Sequence, residues 1–448
     1  MRRKIYDYLL DWKRKDCGRV ALLIDGARRI GKSYIVEEFA RNEYKSYILI
    51  DFSHIRKELK EVFDNHLEDK ESFFLYLQSV TGQHLYPRES LIIFDEVQFY
   101  PRARAAIKHL VADGRYDYIE TGSLVSINRN VKDILIPSEE RRVAMNPMDF
   151  EEFLWAVGDE MTMPMVRHCF ERRQAMGPMH RKAMNLFRQY MIVGGMPQAV
   201  ATFVEERDFT SVDQVKRDIL SLYRSDIQKY AQGYESKVGR IFDQLPGQLQ
   251  KHEKKFRLAT LGSSARFRDY ESSFFWLDEA QVVNTCYRAT EPTIGLRMRE
   301  DDSTLKLYLS DTGLLVTAAL AENNLQAESL YQKLLLGKLE VNQGMFIENV
   351  VAQMLRASGH PLYFYSSYSS VAEDRMEIDF LITNAQVTSR HNVIPIEVKS
   401  TTRYTTASLT KFCNKYHEQV SSPHIIHAGD FRADSPITYL PLYMTPLL

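Results

Sequence analysis

Gly26-Ala27-Arg28-Arg29-Ile30-Gly31-Lys32-Ser33 is a complete G-x-x-x-x-G-K-S phosphate loop. The apolar run Val20-Ala21-Leu22-Leu23-Ile24 feeds straight into it, and Tyr34-Ile35-Val36-Glu37-Glu38-Phe39-Ala40 behind it has the pattern of an amphipathic helix. Strand, glycine-bounded loop and helix form the context in which this motif grips a nucleoside triphosphate. The reason is electrostatic. Glycines let successive N–H groups curl around anionic oxygens, and the helix N-terminus adds the positive end of its dipole. All eight loop residues are therefore expected to bind nucleotide. Lys32 is expected to reach the β- and γ-phosphates, with the Ser33 hydroxyl as a Mg²⁺ ligand.

Leu91-Ile92-Ile93-Phe94-Asp95-Glu96 supplies the second half of such a site. Its four apolar residues suit a buried central strand, and two carboxylates end it at the edge of the sheet where ligands bind. This is the form of a Walker B strand. Asp95 is expected to hold Mg²⁺ through water, and Glu96 to polarise the attacking water as general base. Ile119-Glu120-Thr121-Gly122-Ser123 closes another strand, where Thr121 or Ser123 would sense the γ-phosphate or orient water; a plain strand-end turn is the competing reading. No guanine-reading Asn-Lys-x-Asp stretch occurs, which favours ATP.

At 448 residues the chain exceeds one hydrophobic core, and two to four domains are expected. With 44% hydrophobic and 26% charged residues it is neither disordered nor fibrous in composition. A net charge of -1 gives no bulk attraction to nucleic acid or anionic membranes, so such binding needs a local patch. Cys17, Cys169, Cys286 and Cys413 lack metal-ligand spacing and suit reduced thiols. The basic Met1-Arg2-Arg3-Lys4 runs into a charge-broken segment, and no apolar run is long enough to span a bilayer. A cytoplasmic location without membrane association is the expectation.

Strand-like segments at 19–25, 46–51, 90–95, 116–121 and 142–145 alternate with helical patterns, which argues for a parallel sheet covered on both faces. Residues 146–235 are mainly helical in pattern and are punctuated by Gly194-Gly195-Met196-Pro197. Further strands are expected at 281–287, 304–309, 362–365, 377–383 and 393–399, with a helix over 344–358.

The phosphate loop, the strand ending Asp95-Glu96-Val97-Gln98, Thr121-Gly122-Ser123, Asn146-Pro147-Met148-Asp149-Phe150-Glu151-Glu152-Phe153 and Gly194-Gly195-Met196-Pro197 together resemble the AAA-type ATPases of archaea and bacteria that carry a C-terminal domain of unknown function. The resemblance runs over nearly the whole chain. It implies an α/β P-loop NTPase sheet of strand order 5-1-4-3-2, then a helical and winged-helix region, then a C-terminal α/β restriction-endonuclease-like domain. The expected boundaries are 1–160 for the ATPase core, 161–235 for a helical lid, 236–335 for a winged-helix-like domain and 336–448 for the nuclease-like domain. Such an ATP site needs an arginine by analogy; Arg141, Arg142 and Arg224 are the candidates, each with a surface or ion-pair role as the competing reading, and a neighbouring copy in a homo-oligomer is the other source.

Two other constellations bear on partners. Lys251, Lys254, Lys255, Arg257, Arg266 and Arg268 face the single acid Glu253, a layout that suits a winged helix meeting DNA phosphates, a solvated basic face, or a packing module. In the last third, Asp379 precedes Glu397-Val398-Lys399, and strand alternation puts Glu397 and Lys399 on one face. With Glu348 from the preceding helix, this resembles the PD-(D/E)xK nuclease core, although Glu377-Ile378 stands where the name puts proline. It implies a second Mg²⁺ or Mn²⁺ held by the carboxylates, with Lys399 positioning water. The leading expectation is an ATPase coupled to DNA binding or processing. The alternative is a nucleotide-dependent protein-interaction switch with an inactive nuclease-like domain.

Overall fold

Continuous apolar runs, rather than alternating ones, build the first sheet. Strands β1 (Ala21–Asp25), β3 (Ser90–Asp95) and β4 (Asp117–Gly122) are buried at every position, as strands covered on both faces must be. The partly exposed β2 (Ser46–Asp51) and β5 (Glu140–Ala144) form the edges. All neighbours are parallel, in the order β5-β1-β4-β3-β2. That is the order the family resemblance implies, and β1, β4 and β5 depart from the expected bounds by one or two residues at one or both ends. The computed structural model describes residues 1–123, 138–251, 255–321, 327–335, 343–369, 371, 374–384, 390–401 and 403–448. The chain forms two compact units, Met1–Asn146 and Pro147–Leu448.

In the first unit the helices are α1 (Ile5–Asp16), α2 (Lys32–Glu43), α3 (Lys57–Asn65), α4 (Lys70–Thr81) and α5 (Pro101–Asp113). Phe63 of α3 meets Phe52, Phe73 and Phe94 edge-on, with centroids 5.2–5.7 Å apart. Each such buried ring contributes about 1.5–3 kcal/mol through burial. Arg104 of α5 clamps the edge strand β5 by a buried bidentate pair with Glu140, at 2.9 and 3.1 Å. Burial, followed by a hydrogen bond and the charge from Glu140, pushes the Glu120 carboxyl well above its usual range.

The second unit begins with α6 (Phe150–Ala156), started by a reciprocal cap between Asp149 and Glu152. There follow α7 (Thr162–Glu171), α8 (His180–Val193), α9 (Pro197–Glu206), α10 (Phe209–Tyr230), α11 (Glu235–Leu249) and α12 (Glu271–Glu279). Strands β6 (Val283–Ala289) and β7 (Glu300–Leu309) come next, then α13 (Thr312–Ala319), α14 (Ala327–Leu335) and α15 (Gln343–Ala357). The chain closes with β8 (Leu362–Ser367), β9 (Met376–Thr383), β10 (Val393–Lys399), α16 (Ala407–Lys415), β11 (His424–His427), β12 (Arg432–Asp434) and β13 (Ile437–Pro441).

Here the sequence-based boundaries need a correction. Strands β6 and β7 pair antiparallel as a wing would, but the other edge of β6 pairs with β8, from Cys286 opposite Leu362 to Arg288 opposite Phe364. All eight strands from β6 to β13 form one mixed sheet, so 236–335 and 336–448 share a sheet rather than forming separate layers. The physical reason lies in the second edge of β6, where the backbone groups of Cys286–Arg288 find their partners on β8. The proposed boundary at 335/336 adjoins residues outside the described ones, and Glu253 and Lys254 of the basic segment lie outside them.

Gly194-Gly195 marks a close crossing within this unit. Met148 N donates to Gly195 O at 2.7 Å, and Gly195 N donates to a carboxylate oxygen of Asp311 at 2.5 Å. A Cβ on Gly195 would lie 2.1 Å from Met148 O, and one on Gly194 (φ +85°) 2.3 Å from Asp311 Oδ1. The two motifs 147–153 and 194–197 thus pack against each other.

Candidate functional site

The phosphate loop leaves β1 at the carboxyl edge of the sheet and closes on the first turn of α2. Gly31, at φ +87°, is the residue before α2, a conformation open to glycine at little cost. Gly26 has no room for a side chain, since its Cβ would lie 2.5 Å from Met145 O. Lys32 is buried, and its Nζ donates to Gly26 O and Ala27 O, each at 2.9 Å. Burial lowers its pKa, opposed by the carboxylates of Glu96, Asp95 and Asp25. Its ammonium is therefore held inside the loop it is expected to serve. Arg28 and Arg29 of the loop are exposed.

Three polar side chains from three elements meet beside that loop. Ser33 Oγ donates to Asp95 Oδ1 at 2.7 Å, and Thr121 Oγ1 donates to the same oxygen. The Glu96 N–H is 3.3 Å from Thr121 Oγ1, so Thr121 ties the ends of β3 and β4 together. A hydroxyl and a carboxylate oxygen side by side are the hard donors that Mg²⁺ takes when phosphates supply the rest of its shell. The residues fit that ion. Glu96 stands in left-handed backbone at φ 52°, and the Gln98 amide donates to its carboxylate.

Two contributors escaped the sequence reading. Arg3 is buried, and its guanidinium donates to Ile30 O at 3.0 Å and Asn146 O at 2.7 Å, bracing the loop from outside. Gln98 is the other. For Arg3 no local signal existed; for Gln98, its place two residues after Glu96 was one. The arginines weighed as completing residues are engaged elsewhere. Arg141 grips Asp16 at 2.6 Å, Arg142 lies 3.5 Å from Asp25, and Arg224 bonds Asp243 at 2.9 Å.

Residues 18–154 match the family model described as an AAA domain. Those residues carry an AAA-type P-loop ATPase domain. Residues 184–326 and 343–444 match two domains of unknown function, DUF8612 and DUF4143. No curated protein matches the chain. Among solved structures it is similar to the Walker-type ATPase PABY2304 of Pyrococcus abyssi, at 15% identity and TM-score 0.40 over 71% of this chain and 95% of that one. It is also similar to Cdc6p from Pyrobaculum aerophilum, at 12% identity and TM-score 0.23 over 75% and 93%. A DNA replication initiation factor matches at 12% identity and TM-score 0.22 over 55% and 79%. No helix among the described residues of this AAA-domain protein is long and apolar enough to cross a membrane.

Among the described residues, ion pairs with two lysines, Lys306 and Lys399, engage the C-terminal candidates. Asn349 of α15 brackets Leu309 of β7, accepting from its N–H at 2.8 Å and donating to its C=O at 3.0 Å, which sets Glu348 beside β7. There Lys306 Nζ lies 3.5 Å from Glu348, 2.9 Å from Glu377 and 3.7 Å from Asp379. These carboxylates hold Lys306 charged, raising it well above its ordinary value against the opposing effect of burial. Glu397 pairs instead with Lys399 at 2.6 Å, and Asp379 accepts from Val398 N at 2.8 Å. Burial raises Glu397, with Lys399 opposing. Among the described residues no three acid, histidine or cysteine side chains are arranged to hold a metal. The expected second ion thus meets an internal ammonium among its ligands, and Lys306 is a member that sequence spacing did not reveal.

Proposed function

We propose that the protein binds and hydrolyses Mg²⁺-ATP in its first unit, and that nucleotide state controls how its second unit docks another protein. The observation that carries the ATPase half is the convergence of Ser33, Asp95 and Thr121 on one carboxylate oxygen beside the Lys32 loop. Lys32 and the loop N–H groups would hold the phosphates, and Ser33 and Asp95 the Mg²⁺. When bound, that ion offsets the charge of the phosphate oxygens. Glu96 would accept the proton of the attacking water, oriented by Gln98. A further positive charge would come from Arg28, Arg29 or a second copy of this chain.

The docking half is supported by Lys306, whose ammonium pairs with Glu348 and Asp379, two of the three carboxylates that a nuclease would give to a metal, and with Glu377. In this reading Glu348, Glu377 and Asp379 are an ion-paired structural cluster, and Glu397–Lys399 a second pair. A DNA-linked ATPase is favoured instead by Lys251, Lys255, Arg257, Arg266 and Arg268, all exposed or half-exposed.

Nucleotide affinity and turnover test the first half. Lys32→Ala should abolish binding of a fluorescent ATP analogue, and unchanged affinity would defeat the assignment. Glu96→Gln should keep binding and lower turnover by about 10²-fold or more. Duplex DNA should leave ATP turnover unchanged, whereas stimulation supports the DNA-linked reading. Mn²⁺-dependent nicking that vanishes in Asp379→Asn would overturn the ion-paired cluster.

A further inference from the structure

Helix α12 and the start of β7 border a cavity of about 530 Å³ that neither the nucleotide site nor the Lys306 cluster uses. Phe267, Phe274, Phe275 and Tyr287 contribute aromatic rings to it. Phe274 is buried and stacks on Phe267, with centroids 5.7 Å apart and planes 12° from parallel. Phe275 keeps 59% of its surface in water. Aromatic rings lining a cavity attract a cation through the negative charge of their π-faces.

The same cavity carries the carboxylates of Glu271, Glu300 and Asp302. Two of the elements that border it are acidic, while Arg266 and Arg268 flank Phe267. Helix α12, with the sequence ESSFFWLDE, has three acids and no base, and β7 opens with Glu300-Asp301-Asp302. Arg288 answers Asp301 at 3.3 Å. Glu300 is pushed up to about 7 by burial first and then by the hydrogen bond and charge of Asp302, against the pull of Tyr363 and Arg297. Two carboxylates pressed together in this way are relieved by a cation. Nucleic acid meets the opposite condition, because a helix and strand bearing this charge repel phosphates.

We propose that this cavity docks an arginine or lysine side chain of a protein partner, its cation set against the aromatic rings and paired with Glu300 and Asp302. Aromatic faces and carboxylates attract such a cation together, and the exposed Phe275 adds apolar contact for the residue beside it. This names the partner chemistry of the protein-docking reading and rests on it.

The test uses the full chain with ATP and a fluorescein-labelled peptide of alternating arginine and leucine. The peptide should bind, should weaken as salt rises, and should lose about tenfold in affinity in Phe275→Ala and in Glu300→Gln/Asp302→Asn. The same peptide with glutamate for arginine should not bind. Phe275 is exposed, so its variant keeps the test valid if the double variant fails to fold. Equal affinity for wild type and Phe275→Ala would overturn the proposal. Turnover in the same samples separates the two ideas. Peptide binding without any change in turnover keeps the cavity and removes the switch. No peptide binding beside normal turnover removes the cavity alone.

Discussion

Glu96 illustrates how single residues are set in the ATP site. Its left-handed backbone at φ 52° costs a non-glycine residue about 1 kcal/mol, and such strain collects where geometry serves chemistry. The turn it makes delivers Gln98, whose amide holds the Glu96 carboxylate. Gln98→Ala should therefore lower kcat about tenfold through lost orientation while leaving nucleotide affinity unchanged. A steady-state comparison of kcat with KM checks this, and a rise in KM alone would assign Gln98 to binding. The positions of Lys32, Ser33, Asp95 and Glu96 were legible in the sequence because each sits at a strand end or helix start that local pattern locates. Thr121 and Ser123 were not separable until the structure put Thr121 on Asp95. Arg3 and Lys306 were not legible at all. Their partners, Ile30 and the trio Glu348, Glu377 and Asp379, are distant in sequence, and nothing local marks a long cationic side chain as buried.

At the scale of elements, the sequence located strands wherever an apolar run ended in a charge or glycine. Ser46–Asp51, Ser90–Asp95 and Val393–Lys399 have the expected bounds. Strands β11 to β13 had no such reading, being three to five residues long. The Gly194-Gly195 crossing shows what a motif can mean without being chemistry. Its glycines clear space for Asp311 and for the backbone of Met148. Gly195→Ala should destabilise the second unit by about 1–3 kcal/mol, the usual cost of forcing a methyl group into packed backbone. Hydrogen exchange along α8 should accelerate while ATP affinity stays unchanged. Unaltered protection in α8 would show that the crossing yields more readily than its distances indicate.

Over the whole molecule, stability and domain structure depend on burial that no local window contains. His424 in β11 is pushed down to about 4 from an ordinary 6.5, chiefly by burial, with Arg173 adding to the effect. Its folded pKa lies below its unfolded one, so the unfolded chain binds the extra proton first. The stability this neutral ring contributes is complete above pH 6.5 and falls as pH drops toward 4, by up to about 1.4 kcal/mol per pH unit. Urea melts of the full chain, followed by the fluorescence of its tryptophans, of which Trp155 and Trp276 lie in the second unit, should show that slope, and His424→Gln should flatten it; equal slopes would refute the assignment. The sequence alone determined the parallel sheet and the nucleotide loop, because both are written in contiguous runs whose burial and backbone geometry follow from their own residues. Tertiary structure decided what those runs could not. It merged β6 and β7 with the C-terminal strands into one sheet, set Lys306 among the carboxylates, and gathered aromatic rings and acids around one cavity. Each of these joins residues far apart in the chain, and only their packing brings the charges and backbone edges together.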